Sequence, residues 1–207
     1  SVKDSTTSGL MKSDAYGGGT ANMEFETLTG LPMYNLSSSV STLYTDVVPK
    51  MKYIPSISDF YAPDDRYVIH LGDALTYSRN DVYRKLGFDT LKKKKNGTED
   101  TTHLEQYGVY PSDASTYQTV LDNIDTNKNQ FFSVITYQNH SPWNLDKESD
   151  VGGSGDGFSP NENYYMNNYA KLLYQTDLAT QEWLQELSQM DKKITVVFYG
   201  DHLPGFY

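Results

Sequence analysis

Thr20, His70, His140, Asp201 and His202 are the residues whose types and positions could do chemistry together. Asp201 and His202 close an apolar, β-branched run at residues 194–200. Side by side they offer one hard oxygen and one borderline nitrogen, a pair suited to Mn²⁺ or Zn²⁺. The plainer alternative is two polar residues in a turn. Thr20 follows Gly17, Gly18 and Gly19 and is placed by the pattern at a helix N-cap. A hydroxyl there lies in a positive local field, which favours its alkoxide and any phosphate it receives. The same placement also serves helix stability alone. The chain has four histidines, and His70, His140 and His202 each follow a predicted strand, while His103 lies in a polar loop. Three imidazoles at one edge of a sheet point to an active site.

Such positions need strands that end together. Residues 67–69, 131–136 and 194–199 read as short interior strands, the last of them buried. Residues 20–29 read as a helix ended by Gly30 and Pro32, with Glu24 and Glu26 near its first turn. Helical spacing also runs through 80–86, through Tyr117, Val120, Leu121 and Ile124, and through 161–189. Ser56 could open a short helix, and the Gly/Ser-rich stretch 150–160 is expected to be mobile. The alternation predicts an α/β domain with a mostly parallel sheet flanked by helices. Open sheets of this kind bind ligands beyond the carboxyl ends of their strands. There is no internal repeat, and residues 1–207 read as one domain.

Composition excludes several functions. The net charge of -10, from 17 basic and 27 acidic residues, argues against general nucleic-acid binding. The basic run at 92–95, within the polar stretch 92–102, reads as a solvated face rather than a binding patch. Without cysteine there are no disulfides, no thiolate catalysis and no Cys-type zinc site. No stretch approaches the ~20 apolar residues of a membrane helix, and no signal peptide is visible. Beginning at Ser1 and stopping soon after a strand, the chain reads as part of a larger domain. Its 18 tyrosines, many beside asparagine, suit either polyol surfaces or the outer faces of helices.

Four separated motifs together resemble the lipoteichoic-acid-synthase-like phosphoglycerol transferases of the alkaline phosphatase and sulfatase superfamily. They are the glycine turn with Thr20, Glu24-Phe25 and Gly30-Leu31-Pro32; His70-Leu71-Gly72-Asp73 with Thr76 through Tyr83 and Leu86 through Asp89; Asn139-His140-Ser141-Pro142-Trp143; and Tyr199-Gly200-Asp201-His202-Leu203-Pro204-Gly205. The resemblance implies that Thr20 attacks the phosphorus of phosphatidylglycerol and carries a glycerophospho-threonine intermediate. It implies that Asp201 and His202, with Thr20, bind one divalent metal, Mn²⁺ foremost, with Mg²⁺ and Zn²⁺ as alternatives. His140 would protonate the leaving alcohol or hold a phosphoryl oxygen. Arg79 would contact the phosphate, and His70 and Tyr77 would complete the glycerol-phosphate pocket. The acceptor would be a hydroxyl on a glycerol-phosphate polymer, a glycolipid or a glycan. The parent protein would be membrane-anchored, with this domain on the extracellular face of a bacterial membrane.

Two departures bear on these expectations. The family carries a further metal ligand, a Glu ending a first core strand, whereas residues 1–19 contain no Glu. That strand and the strands after the metal motif are expected outside this chain, leaving an incomplete metal site, an exposed sheet edge and little or no activity in isolation. Position 77 is Tyr where close synthases carry Trp. Other readings are a phosphodiesterase, phosphoethanolamine transferase or sulfatase of the same superfamily, or a non-catalytic glycan- or teichoic-acid-binding module. Thr20, at the position where sulfatases need Cys or Ser, argues against a sulfatase.

Overall fold

A computed structural model describes residues 7–15, 18–88, 104–147 and 149–205. Gly17, Asp89, the basic stretch 92–102 and His103 lie outside the described residues. In chain order the elements are α1 (Thr20–Thr29), a short α2 (Leu43–Asp46), β1 (Arg66–His70), α3 (Arg79–Lys85), a hairpin of β2 (Gln106–Tyr107) and β3 (Tyr110–Pro111), α4 (Asp113–Leu121), β4 (Phe131–Ile135) and α5 (Pro160–Ser188).

β1 and β4 pair in parallel, in register from Arg66↔Phe131 to His70↔Ile135. Alternation along each strand sends side chains to two cores. Val68, Phe131 and Ile135 join Ala21, Phe25, Leu43, Tyr44, Val82 and Tyr83. Ile69, Phe132 and Val134 join Tyr117, Val120, Trp183 and Leu187. The sheet is therefore covered by α1–α3 on one face and α4–α5 on the other, which explains why its strands are apolar on both sides. Tyr117 stacks on Trp183 with centroids 4.6 Å apart, locking α4 to α5. Local signals set the helix starts. Ser112 caps α4, and Ser159 with Glu162 forms a capping box ahead of Pro160 at α5.

Three local expectations are corrected. Gly19, not Thr20, is the N-cap of α1; it sits at φ 93°, in left-handed space that glycine enters freely. Thr20 is the first helical residue, and its hydroxyl is released from capping. No acidic residue lies in the first turn of α1; Glu24 is buried in the second turn, and Glu26 accepts the Met33 N–H at 2.6 Å. Residues 194–199 are not a strand, and the run is not buried: Val197 and Phe198 are 76% and 61% exposed. An apolar run becomes a strand only where a neighbour supplies a ladder, and β1 and β4 pair with each other alone among the described residues. Ile194 still packs against the second core. No described helix is long and apolar enough to cross a membrane.

Candidate active site

Thr20 opens α1, and Asp201 and His202 meet it from the far end of the chain. The Thr20 hydroxyl donates to Asp201 Oδ2 at 2.7 Å and lies 3.2 Å from His202 Nε2. His202 Nε2 is also 3.2 Å from Asp201 Oδ2. Ser13 Oγ donates to the Asp201 carbonyl, tying the segment before the helix to the same loop. His202 Nδ1 lies 2.9 Å from the Leu203 carbonyl and donates there, which turns Nε2 toward Thr20 and Asp201. Three potential ligand atoms thus converge, Thr20 Oγ1, Asp201 Oδ2 and His202 Nε2. Such an electron-rich point suits a cation. Neighbouring ligands on one ion at about 2.0–2.2 Å lie about 3 Å apart, so the spacing fits a shared shell. Among the described residues no group of three or more His, Cys, Asp or Glu converges. Asp201 and His202 with the Thr20 hydroxyl are therefore the donors these residues provide.

One helical turn after Thr20, Glu24 points into the core. Its carboxylate takes Arg79 Nε at 3.0 Å and Nη2 at 2.6 Å, together with the hydroxyls of Tyr44 and Tyr83, each at 3.1 Å. Burial, then the Glu24 charge, holds both tyrosines well above their ordinary pKa, so they remain donors. Tyr83 reaches Ser133 of β4 in turn, at 3.1 Å. Arg79 is 5% exposed. Glu24 engages its Nε and Nη2, and Nη1 makes no hydrogen bond among the described residues. The Tyr77 ring lies 5.1 Å from the guanidinium carbon. Tyr77 and Ser78 are both left-handed, at φ 58° and 55°. Two successive strained non-glycine residues are tolerated where the surroundings fix them, commonly at functional sites.

His70 ends β1, 4% exposed, with Nδ1 3.0 Å from the Ile135 carbonyl of β4. Burial, and then the Arg79 charge, lowers its pKa below the ordinary 6.5. It is therefore neutral, Nδ1–H donating to Ile135 and Nε2 open as an acceptor. As pH falls through the ordinary value, the unfolded chain takes a proton that folded His70 refuses, so folding weakens. The urea midpoint of the wild type should fall more than that of His70→Gln between about pH 7.5 and about pH 5.5; parallel pH dependences would contradict the burial argument.

Tyr137 bridges His70 and His140, with ring centroids at 5.4 and 5.2 Å. Tyr110, on the β2–β3 hairpin, packs against Tyr137 at 4.0 Å and donates to the Ser141 carbonyl at 2.8 Å. Burial, then Tyr137, pushes the Tyr110 hydroxyl up to about 12. His140 is exposed, with Nδ1 2.6 Å from the Ser141 carbonyl and Nε2 turned away from that bond. Gly72 makes room for His70: a Cβ there would lie 2.6 Å from His70 Nε2 and 3.1 Å from Tyr137. Gly72→Ala should displace the imidazole, lowering kcat/KM by about 10–100-fold and costing about 1–3 kcal/mol of stability, because small misplacements of site groups and overpacking of buried side chains carry such penalties. An unchanged kcat/KM would separate His70 from the site.

The structure thus assembles two groups. Thr20 meets Asp201 and His202, and His70 meets His140 through Tyr137. Glu24 and Arg79 connect them, since α1 carries both Thr20 and Glu24 and both charges act on His70. Sequence reading gave no role in the site to Tyr44, Tyr83, Tyr110, Tyr137, Asp113 and Thr176. It placed Glu24 near the first turn of the helix and in the motif with Thr20, without a partner. The usable signal was an acidic residue between Met23 and Phe25, both buried.

A two-faced parallel sheet with a hydroxyl held by an Asp–His pair defines the class, and residues 1–207 match the Sulfatase family throughout; the chain belongs to that family. The α/β alkaline phosphatase/sulfatase-like fold expected from the sequence is borne out. The Streptococcus pyogenes phosphoglycerol transferase GacH, solved in complex with sn-glycerol-1-phosphate, is 46% identical with a TM-score of 0.90, over 100% of this chain and 54% of that one. The lipoteichoic acid synthase LtaP from Listeria monocytogenes is 20% identical with a TM-score of 0.59, over 85% of this chain and 41% of its own, a likeness of fold. Two curated proteins of Rhizobium meliloti (strain 1021) are similar as well. One, named for cyclic beta-1,2-glucan modification, is 27% identical over 205 residues, 95% of this chain and 30% of its own length. The capsular polysaccharide biosynthesis protein RkpI is 28% identical over 200 residues, 91% of this chain and 33% of its own length. The chain thus spans about half of GacH and about a third of the curated relatives.

Proposed function

We propose that this chain forms part of a catalytic domain that transfers sn-glycerol phosphate from phosphatidylglycerol to a hydroxyl acceptor, by way of a glycerophospho-threonine at Thr20. The observation that carries this reading is the bond from the Thr20 hydroxyl to Asp201, across 181 residues of sequence. A cap has no need of that bond, and a binding module has no need of a nucleophile.

Thr20 Oγ1, its proton given up to water beforehand, attacks phosphorus as the alkoxide, and the bond from phosphorus to the diacylglycerol oxygen breaks. His140 Nε2 gives that oxygen its proton. An acceptor hydroxyl then attacks the threonine ester, its proton passes to His140, and the Thr20 oxygen leaves. The unclaimed edge of Arg79 faces phosphate charge, while Tyr77 and neutral His70 frame the glycerol, His70 accepting from a hydroxyl. Asp201, His202 and Thr20 would hold a divalent ion, Mn²⁺ in our reading, which lowers the hydroxyl pKa and offsets phosphoryl charge. Glycerol phosphate is the ligand named for GacH, and the names of both Rhizobium relatives concern polysaccharides. These support a glycan or glycerol-phosphate polymer as acceptor; a lipid donor, in this reading, calls for a place on the outer face of a bacterial membrane.

The test is headgroup choice. The intact protein with Mn²⁺ should release diacylglycerol from fluorescent phosphatidylglycerol and leave phosphatidylethanolamine and aryl sulfates untouched. Release of sulfate, or a preference for the ethanolamine headgroup, would replace this reading with another activity of the family.

A further inference from the structure

We infer that Thr176 of α5, backed by Asp113 at the start of α4, is the positioning residue that holds the His140 loop in place for proton donation; this rests on the transfer reading above. A threonine hydroxyl has one proton and two lone pairs, and Thr176 uses all three. It donates to Asp113 Oδ2 at 2.6 Å and accepts from Asn139 Nδ2 at 2.9 Å and Gln138 Nε2 at 3.3 Å. Inside a helix such a hydroxyl usually turns back to its own backbone; here it ties α5 to α4 and to the loop after β4.

The two residues before His140 are thereby fixed. Gln138, 3% exposed, also accepts the Asp113 N–H at 3.0 Å and donates to the Leu172 carbonyl at 3.1 Å. Beyond His140, Trp143 Nε1 donates back to the Asn139 carbonyl at 2.9 Å, and the Trp143 carbonyl accepts from buried Asn168 at 2.8 Å. Both flanks of the imidazole are pinned to helices, while among the described residues the ring itself makes the Ser141 bond and contacts with Tyr110 and Tyr137. Asp113 is fully buried, and burial raises its pKa. Asp113 Oδ1 and Asn139 Oδ1 are buried without a hydrogen-bond partner among the described residues. Native folds seldom leave such atoms unpaired, and each exception calls for a role. Here both residues spend their available bonds on one hydroxyl.

The test uses the intact protein with Mn²⁺ and two donors. Phosphatidylglycerol has an alkoxide leaving group that needs a proton. A 4-nitrophenyl diester of glycerol phosphate has one that leaves without it. Thr176→Val should lower kcat on phosphatidylglycerol by about 10–100-fold at unchanged KM, yet lower the rate of the first-turnover burst of 4-nitrophenolate, which precedes the second step, by less than about 2-fold. Thr176→Ser should restore the first rate. Equal losses on both donors, failure of serine to rescue, or a wild-type rate in the valine variant would overturn the assignment. Asn139→Ala keeps the Thr176–Asp113 bond and should show the same selective loss, so it carries the test if the valine variant does not fold. A wild-type protein that leaves phosphatidylglycerol intact would overturn the transfer reading, and this inference with it.

Discussion

Thr20→Ala should reduce turnover of phosphatidylglycerol by about 10⁴-fold or more while leaving the protein folded. The magnitude follows from removing the atom that forms the covalent bond, since the nucleophile, its activating partners and the acid act as a unit. The fold is spared because Gly19 rather than Thr20 caps α1. The substitution removes a partly buried hydroxyl bonded to Asp201 and keeps alanine, a good helix former, in its place. The change in stability should stay within about 1.5 kcal/mol. Thr20→Ser keeps the oxygen and should retain measurable activity. Turnover of the alanine variant within tenfold of wild type would remove Thr20 from the chemistry, and its unfolding would contradict the assignment of the cap to Gly19.

Breaking the Glu24–Arg79 pair should give the largest loss of stability. Both side chains are 6% exposed, and the fork is bidentate. Removing one partner leaves an uncompensated charge in the core, a loss of about 3–5 kcal/mol, or on the order of 10 °C in Tm for a unit of this size. Glu24→Gln should also leave Tyr44 and Tyr83 facing a weaker acceptor. Replacing both partners, as Glu24→Gln with Arg79→Met, should recover much of that stability, because no buried charge remains unpaired. It should not recover activity if Arg79 holds the phosphate. The cycle of single and double variants therefore separates the structural part of this pair from its part in the site. Additive losses in Tm would show that the two charges are not coupled; a double variant with wild-type kcat would take Arg79 out of phosphate binding.

The positions of His70 and His140 were legible because each follows a short apolar run, and both runs are strands with a ladder partner. The helices around Leu172, Trp183 and Val120 were legible for a similar reason: their apolar spacing matches the face they bury. Residues 194–199 carry an equally apolar run, yet pairing is a property of neighbours, and composition alone does not supply them. The Thr20–Asp201 bond spans nearly the whole chain, and the two residues were grouped by resemblance rather than by any local pattern. Thr20 was assigned the cap because threonine favours that place, but a left-handed glycine took it. The Glu24–Arg79 and Thr176–Asp113 pairs were not legible at all. A carboxylate or hydroxyl in a helix reads the same whether it faces water or a buried partner on a distant element.

The central claim is that Thr20 is the group that carries phosphoglycerol. The most direct measurement is to mix the intact protein with phosphatidylglycerol and Mn²⁺ without acceptor, quench in acid and map the peptides by mass spectrometry. The account predicts one added glycerophosphoryl group on the peptide containing Thr20, absent in Thr20→Ala and discharged when a hydroxyl acceptor is supplied before the quench. Diacylglycerol release at the wild-type rate with Thr20 unmodified, or with the group on another residue, would contradict it.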